Sequence, residues 1–299
     1  MSEQTTIDAA AAGQWKLGDL TVHRMGYGAM RTTGSGGFDR GTVRPREQSI
    51  AVLREAVERG VNHIDTAAFY FSALRSANEL INSALAPYSE ELVITTKVGP
   101  GRDSWGEWHW AEPAQLRGQV EENLRQLGRD HLDVVNLRLP NRPVDVAEHF
   151  GALAELRTAG LIRQLGLSNA SIEQLDAALT VAPVVCVQNR YGLGSRDSDE
   201  LLRRCGESGI AFVPFFAIAG DRREGALAEQ AAGEHPEVEA VAAAHGITPA
   251  QLRLAWTLHQ GPHVLAIPGT GNPAHLRENL AAAAVRLTPE DLARLDAAG

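Results

Sequence analysis

LDVVNLRLPNRPVDVAEHFGALAELRTAGLIRQLGLSN, residues 132–169, decides the fold. It opens with an apolar run, Leu132–Leu137, and continues into a segment of helical period over Val146–Ala159 closed by Gly160. A second apolar run follows at Ile162–Leu167. Near-continuous apolar runs are what strands covered on both faces require, and a helix between two of them makes a parallel strand–helix–strand unit.

The same alternation runs outward in both directions. Towards the N-terminus, Met25–Met30, Asn62–Asp65 and Leu92–Lys97 read as strands. Between them lie helices over Ser49–Arg59, closed by Gly60, and Ala77–Leu85, stopped before Pro87; a further helix starts at Pro113 and sets Leu116, Val120, Leu124 and Leu127 on one face. Towards the C-terminus come a helix capped by Ser171, a strand at Val184–Gln188, a helix at Ser198–Glu207 and a strand at Ile210–Phe215. A helix at Pro249–His259, a strand at Val264–Ile267 and a helix at Ala274–Ala283 complete the series.

Eight such units, with no linker or composition break, predict one α/β domain over residues 1–299, a (β/α)8 TIM barrel with residues 1–14 as a flexible tail. A doubly wound sheet would want a G-x-G-x-x-G loop after the first strand, and none is there. WKLGDLTVHR, Trp15–Arg24, reads as a hairpin around Gly18-Asp19 that plugs the barrel's bottom.

Bulk properties narrow the function. The chain has 299 residues, 44% hydrophobic and 22% charged, which is ordinary for a globular protein. A net charge of −9 without a basic run argues against a nucleic-acid partner. Two cysteines, Cys186 and Cys205, give neither a disulfide framework nor a zinc cluster. The start MSEQTTIDAAAAGQW is no secretion signal, and no apolar stretch reaches the ~20 residues of a membrane span. The expectation is a soluble, cytoplasmic protein with no bound metal.

In a parallel barrel, chemistry sits where strands end and the following loops begin. Here the second strand ends in Asp65, with Tyr70 five residues later, and the third ends in Lys97. The fourth reaches Asn136 and Arg138, the fifth Ser168-Asn169, the sixth Gln188 and the seventh Phe215-Phe216, while the eighth runs into Ile267-Pro268-Gly269-Thr270. Any one of these alone reads as a cap, a solvated charge or loop filler. Together they carry a chemical logic, since an ammonium beside a phenol favours the phenolate and tunes it for proton exchange with a carbonyl oxygen.

These residues resemble the aldo-keto reductases from about Gly18 to Leu295. The matching stretches are GYGAM (26–30), NHIDTAAFY (62–70), ELVITTKVG (91–99), LDVVNLRLP (132–140), GLSN (166–169), VQNRY (187–191) and IPGTGNPAHLRENL (267–280). The resemblance implies hydride transfer between NADPH, with NADH as the alternative, and a small-molecule aldehyde or ketone. Tyr70 would be the general acid, Lys97 its activator and Asp65 the partner holding Lys97. Ser168, Asn169 and Gln188 would bind the nicotinamide carboxamide, and Phe215 would stack on the ring. The implied cofactor site extends to Met30, Arg31, Asp65, Phe216, Ala217 and Ile218. Pro268, Gly269, Thr270, His275, Glu278 and Asn279 would take the adenosine phosphates and adenine.

Two departures from the family pattern matter. Arg138 stands where a His is usual. It either polarises the substrate carbonyl or simply pairs with a loop carboxylate, and a pyridoxal-reductase-like subset also carries N-L-R here. Gly269 and His275 stand where NADPH-specific members keep Lys or Arg, with Arg277 near enough to compensate. The loop GPGRDSWGEWHWAEP (99–113) places Trp105, Trp108 and Trp110 either on the substrate rim, with Tyr70, or against the barrel exterior. The polar stretch Gly220–Glu234 reads as a loop over the cofactor pyrophosphate. Pyridoxal or another aromatic or biosynthetic carbonyl is the candidate substrate. The competing reading is a cofactor-binding regulatory or redox-sensing barrel with little turnover. Metal-dependent hydrolases and glycosidases want His ligands or acidic pairs that these strand ends lack.

Overall fold

The computed structural model describes residues 8–34, 42–102, 107–218 and 235–298. Seven parallel strands lie side by side in chain order: Tyr27–Gly28, His63–Asp65, Val93–Val98, Leu132–Arg138, Ile162–Ser168, Cys186–Gln188 and Ala211–Phe212. Residues 264–266 supply the eighth. They bridge Phe212 at Val264 on one side and Met25 at Ala266 on the other, closing a (β/α)8 barrel. Two pairs of backbone hydrogen bonds seal that seam. Leu265 N–H donates to Phe212 O at 2.9 Å while Phe212 N–H donates to His263 O at 2.9 Å; Gly26 N–H reaches Ala266 O at 2.8 Å while Ala266 N–H reaches Arg24 O at 2.8 Å.

The hairpin closes the bottom as its sequence predicts. Gln14–Leu17 pairs antiparallel with Leu20–His23, and Gly18 turns the corner at φ +66°. Leu17, Leu20 and Val22 point into the lower barrel, where they pack with Val93, Val134, Val185, Ala211 and Leu265. A larger apolar layer lies between the strands and the surrounding helices, with Phe150, Leu165, Phe212 and Trp256 fully buried in it.

Most helices begin where their caps dictate. Asp145 caps Val146–Thr158 and Ser171 caps Ile172–Leu179, the latter in a reciprocal box with Gln174. The helix starting at Pro113 opens as a 3-10 turn, Pro113–Gln115, before its regular part Leu116–Leu127; the expected stripe is there, with Leu116, Val120 and Leu127 buried. The first strand is shorter than its apolar run, because Ala29–Arg31 leaves the sheet as a 3-10 turn.

Three expectations change. Residues 8–14 are not a free tail: Ala9–Ala12 forms a 3-10 turn capped by Asp8, and buried Ala9 donates its N–H to Arg59 O at 2.9 Å. Residues 1–7 lie outside the described residues. Two helices were not expected. Pro236–His245 precedes the seventh barrel helix, and Pro289–Asp296 follows the last. The second carries a full start signal, Thr288 and Asp291 capping each other around Pro289, and Asp296 at its end accepts from Trp256 Nε1 at 2.9 Å. Among the described residues no helix is long and apolar enough to cross a membrane.

Candidate active site

Strand register brings the polar strand ends to one face. Asp65 lies opposite Thr95, Asn136 opposite Lys97, and Ser168 pairs with Arg138 on one side and Gln188 on the other. Side chains two apart on a strand share a face, so Asp65, Lys97, Arg138, Ser168 and Gln188 converge at the top of the barrel.

The centre is an ion pair. Lys97 Nζ donates to both carboxylate oxygens of Asp65 at 2.7 Å and to Thr66 O at 3.0 Å. Gln188 Nε2 adds a third hydrogen bond to Asp65 at 2.8 Å. All three side chains are buried, so the pair survives only because each charge is fully met. Burial, the largest single influence on Lys97, lowers its pKa; the Asp65 carboxylate and the Tyr70 phenol outweigh that and hold it above its ordinary value.

Tyr70 is brought to this pair by a turn, its N–H donating to Ala67 O at 3.0 Å. Lys97 Nζ lies 4.9 Å from the Tyr70 ring centre. Phe69 packs edge-on against Tyr70 at 5.2 Å, and Trp108 packs edge-on against Phe69 at 6.3 Å. Trp108 and Trp110 belong to one strand of a small hairpin, Pro100–Arg102 with Trp108–Trp110, laid over this face. Trp108 is 44% exposed. Arg102 sits between Phe71 and Trp108 at 5.0 and 4.9 Å from their ring centres. Trp105 and Gly220–Glu234 lie outside the described residues.

Arg138 meets a hydroxyl and a ring instead of a carboxylate. Its NH1 donates to Ser168 Oγ at 3.0 Å, and its guanidinium lies 5.3 Å from the Phe215 ring centre. Among the described residues no carboxylate is within ion-pair distance of it, so the loop pairing considered from the sequence is not formed there.

Ser168 and Gln188 continue the cluster at 3.5 Å. Asn169 follows at φ +60°, its amide nitrogen donating to Leu139 O and Asn141 Oδ1, which leaves its side-chain oxygen to accept. Phe216 holds φ +62°, an unusual and strained conformation for a bulky residue, and is 46% exposed beside Phe215. Ala217 is buried and Ile218 packs on the main core. Met30 and Arg31 occupy the turn after the first strand.

The eighth-strand loop is pressed against the first strand. A side chain at Gly28 would come within 2.6 Å of Ile267 O, and one at Gly269 within 2.6 Å of Gly28 O, so both positions need glycine. Pro268 and Thr270 are buried; Asn272 then caps the helix Pro273–Ala281, on which His275 is exposed and Asn279 buried. Glu278 accepts from Thr248 Oγ1. Arg277 is turned away: it donates to Glu55 at 2.6 and 3.2 Å.

Four residues at this face escaped the sequence reading. Arg44 donates to Gly271 O at 3.2 Å and Arg31 O at 3.3 Å, in space that any side chain at 271 would occupy, and Gln48 joins it on Gly271 O at 2.8 Å. Nothing in local pattern marks either. Phe69 was signalled by its place beside Tyr70, and Arg102 by its place within the tryptophan loop. Beneath the ion pair lies His63, two residues before Asp65, bonded to Thr95 Oγ1 at 3.2 Å.

Residues 24–299 match the Aldo/keto reductase family. The chain is 41% identical over 295 residues to a pyridoxine 4-dehydrogenase of Escherichia coli (strain K12), covering 96% of this chain and 98% of that protein. Among solved structures, it is similar to a thermostable aldo-keto reductase in complex with the inhibitor epalrestat (TM-score 0.79, 31% identity, 96% of this chain and 99% of that one). It is also similar to an aldo-keto reductase of Klebsiella pneumoniae in complex with NADPH (TM-score 0.75, 30% identity, 93% and 91%).

Proposed function

The chain belongs to the aldo/keto reductase family, and we propose that it reduces an aldehyde or ketone to an alcohol with NADPH. The observation that carries the proposal is the buried Lys97 ammonium, fixed by Asp65 and set against the Tyr70 phenol.

The residues fit a nicotinamide dinucleotide. The polar set at the strand ends, Ser168, Asn169 and Gln188, suits a carboxamide, and Phe215 offers a ring face to stack on. Met30, Arg31, Phe216, Ala217 and Ile218 flank that place. The start of helix Pro273–Ala281, beside Pro268 and Thr270, offers a helix N-terminus for the phosphates, and the close packing of Gly28 on Gly269 holds that loop in place. His275, Glu278 and Asn279 take the adenosine side. NADPH is favoured over NADH because Arg44 lies against this loop, a cation suited to an added phosphate.

When bound, the nicotinamide supplies a hydride to the carbonyl carbon. Tyr70 gives its hydroxyl proton to the carbonyl oxygen and recovers one from solvent; in the reverse direction it takes the proton back. Lys97 sets positive charge where the phenol oxygen becomes negative, and Asp65 keeps Lys97 in place. Phe69 and Trp108 supply an aromatic rim, which favours flat substrates, and pyridoxal is our first candidate. Two free, buried thiols agree with work in a reducing cytoplasm.

The test follows the loss of reduced-nicotinamide absorbance with NADPH or NADH against pyridoxal and a panel of aromatic and aliphatic aldehydes. Turnover that disappears in Tyr70→Phe is the expected result. Cofactor binding with no turnover of any carbonyl would favour the regulatory barrel, and turnover that persists in Tyr70→Phe would remove that residue from the mechanism.

A further inference from the structure

Arg138 is a cation for which the described residues supply no carboxylate counter-charge. Its guanidinium is held from two sides, by Ser168 Oγ at 3.0 Å and by the Phe215 ring at 5.3 Å, so it is positioned rather than loose. Asp65, the carboxylate of this cluster, is already committed to Lys97 and Gln188. Among the described residues no other carboxylate reaches Arg138. Burial acts on it as the main influence, lowering its pKa, with the fields of Tyr70 and Asp65 opposing that fall. A largely desolvated charge is costly unless something of opposite sign meets it, and a planar guanidinium fork matches an oxyanion best.

We infer that the substrate itself brings that charge: an aryl aldehyde carrying an ionised hydroxyl on the carbon next to the formyl group. This rests on the reductase reading above and extends it to substrate class. The reacting carbonyl oxygen goes to Tyr70, and the neighbouring phenolate oxygen goes to Arg138, one strand away from Lys97. The rim of Phe69 and Trp108 accounts for the aryl ring. Arg138 is then a specificity residue in contact with substrate, and it leaves the proton transfer to Tyr70.

Three aldehydes separate the idea from its alternatives: 2-hydroxybenzaldehyde, 2-methoxybenzaldehyde and benzaldehyde. The wild-type protein should prefer the first over the second by about ten- to a hundredfold in kcat/KM, the size of one charge-assisted hydrogen bond, and mostly through KM. Arg138→Met should bring that ratio close to one, and Arg138→Lys should keep part of it. The ratio does not depend on how much variant protein is correctly folded. Calorimetry with NADP+ present gives a readout free of turnover, in which 2-nitrophenolate should bind more tightly than 2-nitroanisole to the wild type and lose its advantage in Arg138→Met. Equal kcat/KM for the hydroxy and methoxy aldehydes in the wild type, or a preference unchanged by Arg138→Met, overturns the inference. If no carbonyl is turned over, the reductase reading fails, and the calorimetric preference decides this one by itself.

Discussion

Lys97 Nζ stands 2.7 Å from both carboxylate oxygens of Asp65, and both side chains are almost wholly buried. Removing one partner strands the other charge in the barrel. Lys97→Met should therefore destabilise the fold by about 3–5 kcal/mol, as broken buried pairs do, in addition to slowing turnover. Asp65→Asn combined with Lys97→Met should recover much of that stability without recovering activity. Urea denaturation of the two variants beside wild type checks this, and a single variant as stable as wild type would mean that water or a neighbour replaces the lost partner.

Tyr70→Phe tests chemistry with little structural cost. The ring still packs against Phe69, so the melting temperature should hardly move. Turnover should fall by about 10²–10⁴, the usual contribution of a positioned general acid, with cofactor affinity kept. Steady-state rates and fluorescence titration with NADPH report the two separately.

Cofactor choice should follow Arg44 rather than Arg277. Arg277 is held by Glu55 on the helix Arg46–Glu58, whereas Arg44 lies on the Gly271 carbonyl. Arg44→Ala should weaken NADPH binding by about tenfold, the range of one charge-assisted contact, and affect NADH far less. Arg277→Ala should leave the NADPH/NADH ratio near its starting value. The opposite ranking would return the phosphate contact to the last barrel helix.

His63 predicts a pH dependence. Burial pushes its imidazole down to about 4 from an ordinary 6.5, against the pull of the Asp65 carboxylate. Between those values the unfolded chain binds a proton that the folded chain refuses, so stability is intact above about pH 6.5 and declines as pH falls towards 4. The loss should reach roughly 2 kcal/mol by about pH 5, where most surface carboxylates are still ionised. Unfolding free energies of wild type and His63→Asn at neutral and mildly acid pH check it; equal slopes would clear His63 of the effect.

What could be read from sequence was what local spacing encodes. Apolar runs alternating with helical segments gave the eight barrel units, because a strand covered on both faces and a helix covered on one leave different periods in the chain. The polar residues ending those runs, Asp65, Lys97, Arg138, Ser168 and Gln188, were legible for the same reason. Helix Pro289–Asp296 is legible too, through Thr288, Pro289 and Asp291.

Tertiary structure alone decided who meets whom. Barrel closure lays the first strand beside the eighth, so Arg44 arrives at Gly271, 227 residues away, and Gln188 arrives at Asp65 across 123. It also settles partners that spacing leaves open. Arg277 faces Glu55, and Arg138 faces a hydroxyl and a ring. Periodicity fixes which face of an element a side chain occupies; which distant face it meets depends on strand register and closure, and those are properties of the packed barrel as a whole.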